Sequence, residues 1–417
     1  MKILIVHNAY QQGGGEDVVA ANEARLLAER GHSVIWYRRD NDEIRAETGP
    51  RKLALGLKTV WAPDSYGKLR SLLKRESPNV AHFHNTFPLI SPAAYHTCSD
   101  FGVPVVQTLH NYRLLCPGAT FFRNGQTCEE CLGGAIPWRA VIHGCYREST
   151  MATAAVAAML TAHRFLGTWQ TKVDRYVAVS EFARRKFVEG GLPAGRLRVK
   201  PNFVYPDPGF KTEPGAYAFF AGRLSEEKGA RVLLDAWGRL KNSVPLWVAG
   251  EGPLRDEMSV TAAGTKGNNI SLLGTLDHCE ILALMQGARF LVFPSILFEG
   301  AFPLAVIEAF ATGLPTIASR LGPLADGIVH GYTGLHFKPG NSAELAELCD
   351  WAWTHTDEMQ QIGRAARAEY EHRYSAEKNY EMLMEIYESV LTRPAVGQEK
   401  RVPHPATRTK AAGVKQT

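Results

Sequence analysis

Short apolar runs alternate with amphipathic helical patterns along most of the chain. Each run is bounded by turn residues, as expected for buried strands connected by helices. The predicted strands are, in chain order, 2–7, 33–37, 79–84, 104–109, 175–179, 217–221, 246–249, 270–273, 290–293 and 316–318. Strands that alternate with helices in this way form parallel sheets covered by helices on both faces.

A proline- and glycine-rich stretch at 205–215 interrupts this alternation, which then restarts. The pattern therefore predicts an α/β protein with two doubly wound, Rossmann-like domains, at 1–200 and 201–375. Two such domains place a central cleft between the carboxyl ends of their sheets, where ligands usually bind. The helical pattern at 376–392 predicts a last helix that could pack back on the first domain. The segment 393–417 lacks apolar periodicity and is predicted to be a disordered tail.

Length and charge fit this picture. A chain of 417 residues exceeds the size of one ordinary hydrophobic core, and 45% hydrophobic with 21% charged residues is typical of a folded protein. The tail holds six basic residues and one acidic residue, so it accounts for the whole formal charge of +5. With residues 1–392 neutral, we expect no nucleic-acid partner. The tail is either solvated or makes a weak membrane contact.

The chain begins directly with a strand and shows no secretory signal pattern. Its most apolar helical segment, 151–162, is shorter than the roughly 20 residues that a membrane span requires. We therefore expect a cytoplasmic protein, with peripheral contact at the inner face of the plasma membrane as an option.

Four of the seven cysteines follow the spacing C-x11-C-x2-C-x13-C. They are Cys116, Cys128, Cys131 and Cys145. One C-x2-C pair with two outlying thiols could close a structural zinc site. Buried reduced thiols or a redox-labile pair are the alternatives. Cys98, Cys279 and Cys349 are predicted to be isolated core residues.

Two glycine-containing turns follow predicted strands and open helices. After the first strand comes GGGE, in which Gly14 and Gly15 let the backbone approach an anion at a helix N-terminus, although a flexible turn explains them equally. In the second half, FAGRLSEEKG places Arg223 and Lys228 at the edge of the cleft. Two cations there can hold a diphosphate and stabilise its charge as it leaves, so both are candidate donor-binding and catalytic residues. The alternative is a surface pair that forms salt bridges with nearby glutamates.

Further donor-site candidates follow the next strands of the second half. Gly250 and Gly252, in the sequence AGEGP, leave room for a ligand or form a tight turn. Glu299 lies in a loop after a buried strand, and Glu308 lies about a turn and a half into an otherwise apolar helix. A carboxylate there is costly unless bonded, and ribose hydroxyls are natural partners for Glu308. The loop between them offers N–H groups to sugar hydroxyls or the diphosphate. Its residues are Gly300, Phe302, Pro303 and Leu304.

In the first half, His110 ends a predicted strand and should face the cleft, where it could hydrogen-bond a transferring sugar. His82 and His84 lie on one face of the preceding strand and are second candidates. A purely structural role is as common for a histidine at a strand end.

The motifs resemble those of retaining glycosyltransferase family 4 over nearly the whole chain, to about residue 391. The resembling stretches are GGGEDVV, HFHNTFPL, VVQTLHNYRLLCP, VSEFARRKF followed by VKPN, FAGRLSEEKG, VAGEGP and FPLAVIEAFATGLPTIAS. The resemblance implies a GT-B fold, a nucleotide diphosphate sugar donor such as a UDP- or GDP-sugar, retention of configuration, and no cofactor or metal for transfer. The expected acceptor is a glycan or lipid-linked molecule in cell-envelope or exopolysaccharide synthesis.

By the same resemblance, Arg223 and Lys228 correspond to the diphosphate clamp and Glu308 to the ribose ligand. Glu299 corresponds to the donor-sugar carboxylate and His110 to the histidine at the sugar. One spacing departs from the family, because its two glutamates are arranged E-x7-E whereas eight residues separate Glu299 from Glu308. Either Ala301 is an insertion absorbed by the loop, or Glu299 has shifted out of its role.

Three other functions remain open at this point. A nicotinamide-dependent oxidoreductase could use Arg38, Arg39 and Asp40 at the end of the second strand to bind a 2′-phosphate or a ribose. A GT-B enzyme could instead epimerise or hydrolyse a nucleotide sugar. A non-catalytic sugar-nucleotide-binding protein would fit a donor site broken by the altered glutamate spacing.

Overall fold

The structure, a computed structural model, describes residues 1–11, 13–44, 50–211, 213, 215–264 and 270–392. The tail predicted at 393–417 lies outside the described residues. The strands are β1 (Lys2–Ala9), β2 (Ser33–Asp40), β3 (Val80–Asn85), β4 (Val105–Leu109), β5 (Phe122–Arg123), β6 (Gln126–Thr127), β7 (Arg175–Ala178), β8 (Leu197–Val199), β9 (Ala218–Ala221), β10 (Leu246–Ala249), β11 (Ile270–Gly274), β12 (Phe290–Phe293), β13 (Thr316–Ser319) and β14 (Leu335–Phe337).

Helices connect these strands and cover both faces of the sheets. They are α1 (Gly15–Glu29), α2 (Pro50–Val60), α3 (Pro63–Glu76), α4 (Ala93–Asp100), α5 (Trp138–His143), α6 (Thr150–Phe165), α7 (Thr168–Thr171), α8 (Glu181–Glu189), α9 (Ala230–Trp237), α10 (Arg255–Gly264), α11 (His278–Gly287), α12 (Leu304–Thr312), α13 (Pro323–Gly327), α14 (Ser342–Thr354), α15 (Thr356–Arg373) and α16 (Ala376–Leu391). Short 3-10 helices lie at Asn41–Ile44 and Ala194–Arg196.

Two six-stranded sheets form the two halves of the chain. The first has the strand order β2-β1-β3-β4-β7-β8 and the second β11-β10-β9-β12-β13-β14. Neighbouring strands pair in parallel throughout both sheets. The order reverses between β1 and β3 in the first sheet and between β9 and β12 in the second. Ligands bind at such switch points in doubly wound folds. The predicted fold of two doubly wound domains is therefore confirmed.

All ten predicted strands are present, but the pattern missed one edge strand of each sheet. Strand β8 reads Leu-Arg-Val and pairs with β7, and β14 reads Leu-His-Phe and pairs with β13. Each is three residues long with a polar residue in the middle, so neither forms a continuous apolar run. The hairpin of β5 and β6 was also not predicted, because two residues per strand carry no periodicity.

The last two helices lie on different domains. Helix α15 contributes Ala366 and Tyr370 to the core of the second domain, beside α12. Helix α16 places Leu383, Ile386 and Tyr387 against β1, β3, β4 and β7 of the first sheet. The Tyr387 hydroxyl lies 2.8 Å from Nδ1 of His82, in the middle of the buried face of β3. The C-terminal segment thus ties the two domains together.

Two further expectations can be compared with the structure. Cys98 and Cys349 are buried as predicted, but the prediction for Cys279 was wrong, because its side chain is exposed on α11. Among the described helices, none combines the length and apolar character needed to cross a bilayer.

Candidate active site at the domain cleft

The second domain places Lys228 and Glu299 in contact at the switch point between β9 and β12. Nζ of Lys228 lies 2.7 and 2.8 Å from the two carboxylate oxygens of Glu299. The Ser295 hydroxyl donates to Oε1 of the same carboxylate at 2.8 Å. Lys228 therefore pairs with the loop after β12, not with the neighbouring glutamates. Glu299 is held at the cleft despite its altered spacing.

Arg223 lies on the loop after β9 with its side chain exposed. Within the described ranges its guanidinium forms no salt bridge, whereas Lys228 on the same loop is paired with Glu299. An exposed guanidinium at the switch point is available to an anionic ligand.

The N-terminus of α12 offers backbone donors beside the Lys228–Glu299 pair. Nothing in the described part of the chain accepts a hydrogen bond from the N–H groups at 300, 301, 302 and 304. Unpaired N–H groups at a helix start favour an anion or hydroxyl oxygens. The Phe302 side chain itself packs in the core, with its ring centroid 5.3 Å from that of Tyr374. Only the backbone of Phe302 is therefore available to a ligand. Pro303, the N-cap residue of α12, has no N–H to offer.

Glu308 is nearly buried and already has a partner. Nε2 of His278, the first residue of α11, lies 2.8 Å from its Oε1. This hydrogen bond raises the pKa of His278. His278 was not predicted as a site residue, because nothing in the local pattern relates it to a residue thirty positions away.

Gly250 and Gly252 have a packing role that explains them without a ligand. Gly250 has φ +143, and a Cβ atom on it would lie 1.9 Å from the carbonyl oxygen of Gly222. A Cβ atom on Gly252 would lie 2.3 Å from the carbonyl oxygen of Leu224. These glycines let the loop after β10 pack directly on the loop that carries Arg223. Gly250 and Gly252 thus determine how closely the two loops pack. A direct contact of these glycines with the sugar donor stays a prediction.

Across the cleft, the first domain touches the Glu299 loop through the residues that follow β4. The Tyr112 hydroxyl donates to the backbone oxygen of Glu299 at 2.8 Å. A Cβ atom on Gly300 would lie 2.3 Å from the carbonyl oxygen of His110, so only glycine fits there without a shift. Near the other side of the cleft, a Cβ atom on Gly15 would lie 3.1 Å from the side chain of Leu304. The structure thus brings His110, Gly300 and Glu299 together.

His110 is held by a second histidine. Its Nε2 lies 3.0 Å from Nδ1 of His84, and the two rings stack with centroids 5.3 Å apart. Burial lowers the pKa of His110 to about 3, so its imidazole is neutral at physiological pH. A neutral imidazole acts on a ligand as a hydrogen-bonding group and not as a cation. A cavity of about 40 Å³ opens beside His110 and is also lined by Asn85 and Arg113.

A buried ionic network supports this histidine pair. Lys200, at the end of β8, forms an ion pair with Glu23 of α1. The other carboxylate oxygen of Glu23 lies 3.3 Å from Nε2 of His84, and His82 bonds Thr108 at 2.7 Å. Burial holds the pKa of both His82 and His84 well below the usual range. His82 and His84 therefore lie behind His110 and position it.

The N-terminus of α1 contributes an acidic pair that was not predicted. Gly14 donates its N–H to Oδ2 of Asp17 at 2.9 Å, and Asp17 also lies 2.7 Å from Nε2 of His7. Glu16 accepts from Asn111 at 3.2 Å, so it faces the His110 loop. Burial, together with the nearby Asp17 charge, raises the pKa of Glu16 to about 8. Asp17 already accepts the Gly14 N–H, and an anion at Gly14 and Gly15 would meet its carboxylate, which argues against a phosphate directly on this helix start.

The residues that favoured an oxidoreductase are engaged elsewhere. Arg39 donates to both carboxylate oxygens of Glu43, at 2.8 and 3.0 Å, and also to Asp64 at 3.2 Å. Arg38 forms an exposed pair with Asp40 at 3.7 Å. Arg39 is therefore not free to bind a 2′-phosphate.

Comparisons with known proteins agree with this geometry. The model of Glycosyltransferase Family 4 matches residues 13–207, and that of Glycosyl transferases group 1 matches residues 206–369. The D-rhamnosyltransferase WbpZ of Pseudomonas aeruginosa is 33% identical over 161 residues, which cover 38% of this chain and 42% of that protein. The phosphatidyl-myo-inositol mannosyltransferase of Mycobacterium leprae is 32% identical over 238 residues, which cover 54% of this chain and 62% of that protein. The chain thus spans roughly half the length of these relatives.

Solved structures match over almost the entire chain. HepE of Anabaena, crystallised with UDP and glucose, is 18% identical with a TM-score of 0.66, and the match covers 93% of this chain and 100% of HepE. Sucrose-phosphate synthase of Thermosynechococcus elongatus is 16% identical with the same TM-score, over 93% of this chain and 98% of that structure. At such low identity these matches bear on the fold alone. The two family models and the two facing Rossmann-like domains together lead to one conclusion: the chain belongs to the group 1 glycosyl transferases of the GT-B fold, with a family 4 N-terminal half.

Proposed function

We propose that this chain transfers a sugar from a nucleotide diphosphate donor, a UDP- or GDP-sugar, to a glycan or lipid-linked acceptor, with retention of configuration. The observation that carries the proposal is the exposed Arg223 guanidinium on the same loop as Lys228, at the switch point of the second domain. Two cations at this position suit a diphosphate that must be bound and then released as a leaving group.

The second domain supplies the remaining donor contacts in this proposal. Unpaired N–H groups at the start of α12 bond the diphosphate or the sugar hydroxyls. Glu308 accepts hydrogen bonds from the ribose, and His278 leaves or shares its carboxylate when the donor binds. Glu299 releases Lys228 to the phosphate and bonds a hydroxyl of the donor sugar. Arg223, Lys228, Glu299 and Glu308 therefore bind the donor from two loops and the helix α12.

The first domain places a neutral histidine opposite the sugar. His110 touches the Glu299 loop through its backbone and is oriented by His84. A neutral imidazole can hydrogen-bond a sugar hydroxyl while positive charge develops on the sugar ring, without adding a like charge. The acceptor enters from the same domain, and the named activities of relatives support a carbohydrate or lipid acceptor. These relatives include a phosphatidyl-myo-inositol mannosyltransferase and an O-antigen chain mannosyltransferase.

For the transfer step we propose that the leaving phosphate takes the proton of the acceptor hydroxyl on the same face of the sugar. The bond from the anomeric carbon to the diphosphate breaks as the bond to the acceptor oxygen forms. No metal is needed in this scheme, since Arg223 and Lys228 neutralise the leaving group. In this scheme Glu299 bonds a hydroxyl of the donor sugar and does not attack the anomeric carbon. A glycosyl-enzyme adduct trapped and detected by mass spectrometry would contradict this step.

A thermal-shift experiment tests the donor site. Wild type, Arg223→Ala and Glu308→Ala are compared with UDP, GDP, ADP and NADP. Arg239→Ala is the control, because this exposed arginine lies just beyond the opposite end of α9. We expect one nucleoside diphosphate to stabilise the wild type and the control. Loss of one charge-assisted contact of about 1.5–3 kcal/mol weakens binding roughly 10- to 100-fold in the two site variants.

The outcomes separate the competing functions. Stabilisation by NADP alone would move the protein to the oxidoreductases. Equal stabilisation of Arg223→Ala and wild type by the preferred diphosphate would refute the proposed clamp. Turnover of the donor sugar without an acceptor would favour an epimerase or hydrolase, and tight binding without turnover would favour a binding protein.

A further inference from the structure

The four clustered cysteines converge on one small cavity at the edge of the first domain. This cavity of about 20 Å³ is lined by Cys116, Cys128, Cys131 and Cys145. They come from separate places in the segment that connects β4 to α6: the turn after Tyr112, the turn after the β5–β6 hairpin, and the end of α5. A volume of this size holds one small ion or one water molecule.

The segment that carries these cysteines has little regular structure to support it. Its regular structure consists of the β5–β6 hairpin, with two residues in each strand, and the six-residue helix α5. Five of its non-glycine residues have positive φ, between 49° and 68°. They are Ala119, Phe121, Asn124, Arg147 and Glu148. Each such residue costs on the order of 1 kcal/mol and persists only where the surroundings hold it. A cross-link at the centre of such a segment would add to the support that its core residues Tyr112, Leu115 and Phe121 provide.

The surroundings of the thiols suit a cation bound by thiolates. All four cysteines are free and half-buried around this one cavity, so their thiols can turn toward a single ion. The Arg123 side chain also lines the cavity and can offset part of the negative charge of a tetrathiolate site. His143 and Glu130 also line the cavity, but they lie 3.3 Å from each other and are paired.

We propose that Cys116, Cys128, Cys131 and Cys145 bind one structural Zn²⁺ ion in tetrahedral geometry. The spacing, with one C-x2-C pair and two outlying cysteines, supplies four soft ligands of the type that structural zinc sites use. As they stand, no three of these sulfur atoms lie within 4.8 Å of one another, so the side chains must rotate to close on an ion.

Another group meets the distance criterion but is already neutralised. Among the described residues, side-chain ligand atoms of Glu23, His82 and His84 lie within 4.8 Å of one another. The ammonium of Lys200 is paired with Glu23 in the same buried network. A divalent ion there would face a buried like charge, so we assign this group to hydrogen bonding and not to metal binding.

The proposed zinc site lies next to the contact between the domains. The Tyr112 N–H donates to the carbonyl oxygen of Ala119 at 3.1 Å, and the Cys116 N–H donates to the carbonyl oxygen of Tyr112 at 2.8 Å. Its hydroxyl bonds the backbone of Glu299 across the cleft. Lys186 on α8 pairs with Glu129, inside the C-x2-C turn, at 2.8 Å. Zinc would thus fix the loop that carries both His110 and Tyr112.

The test is the zinc content of the full-length protein purified without added metal, measured by inductively coupled plasma mass spectrometry. We expect about one zinc ion per chain in the wild type. Cys131→Ser should reduce this to background, whereas the matched control Cys279→Ser should keep it, because Cys279 is exposed on α11 in the other domain. Replacement of zinc by Co²⁺ in the wild type should give the strong visible absorption of tetrahedral cobalt thiolate.

Two measurements on the wild type keep the test decisive if Cys131→Ser does not fold. Titration of native protein with a thiol reagent should find four protected cysteines that become reactive after a zinc chelator is added. Intact mass should equal that of the fully reduced chain once zinc is removed. Folded wild type without zinc, a mass lower by two or four hydrogens that indicates disulfides, or an unchanged zinc content in Cys131→Ser would each overturn the proposal.

Discussion

The raised pKa of Glu16 leads to a stability prediction with a defined sign. The carboxylate lies at the start of α1, with one oxygen bonded to Asn111 at 3.2 Å and to Tyr10 at 3.3 Å. Its other oxygen is buried without a hydrogen-bond partner in the part of the chain that the structure describes. Burial and the neighbouring Asp17 raise its pKa from 4.5 to about 8. The folded state therefore binds a proton that the unfolded state has lost.

The sign and size of the effect of pH on stability follow from this difference in pKa between the folded and unfolded states. For a group whose pKa is raised by folding, the favourable contribution is complete below pH 4.5 and is lost as the pH rises through about 8. At 1.36 kcal/mol per pKa unit, ionised Glu16 destabilises the folded state by at most about 5 kcal/mol above pH 9. Roughly half of this loss occurs between pH 6 and pH 9.

The perturbation is Glu16→Gln, which keeps the shape of the side chain and removes its ionisation. We expect the variant to gain stability relative to wild type as the pH rises from 6 to 9. The difference in Tm should grow by roughly 5–10 °C over this range for a domain of about 200 residues. Thermal unfolding at matched ionic strength, at pH 6, 7, 8 and 9, measures it.

Glu29→Gln is the control from the other end of α1. The Tyr205 hydroxyl and Arg25 lower the pKa of this exposed carboxylate, so its ionisation is complete in both states across the range measured. Its Tm difference from wild type should stay constant between pH 6 and pH 9. A Glu16→Gln difference that is equally constant, or that falls with rising pH, would refute the reasoning.

Three further predictions concern the cleft and the last helix. Gly300→Ala forces a Cβ atom to within 2.3 Å of the carbonyl oxygen of His110. We expect transfer to slow by roughly 100-fold, and an unaltered kcat would contradict this. Glu299→Gln frees Lys228 from its salt bridge. Calorimetry should therefore find UDP bound roughly tenfold more tightly, while transfer is lost. Weaker UDP binding would count against the pairing of Lys228 with Glu299. Tyr387→Phe removes the hydroxyl that hydrogen-bonds the buried His82. This should lower the free energy of unfolding by about 1–3 kcal/mol without changing nucleotide binding. The control Tyr332→Phe, at an exposed position, should have no effect on either.

Much of the fold could be predicted because its signals are local. The central strands β9 and β12 are continuous apolar runs, since they are covered on both faces. The edge strands β8 and β14 were missed because three residues with a polar centre resemble a loop. Such short edge strands can be identified only from the strand that they pair with. Their own few residues do not show which strand that is.

The candidate site divides in the same way. Arg223 and Lys228 could be placed at the cleft from the sequence alone, because residues that directly follow a strand of a parallel sheet must lie at its carboxyl edge. The sequence by itself therefore determined two doubly wound domains and the loops that face their cleft. It could not determine which side chains meet there.

Only the tertiary structure decided those partners. It paired Lys228 with Glu299 over 71 positions, Glu308 with His278 over 30, and His82 with Tyr387 over 305. It also gave Gly250 and Gly252 a packing role, and placed Glu299 at the cleft despite the extra residue before Glu308. The physical reason is that periodicity and turn chemistry act over a few residues. The partner of a charge or a buried ring depends instead on how distant loops pack, and that is set by the whole fold.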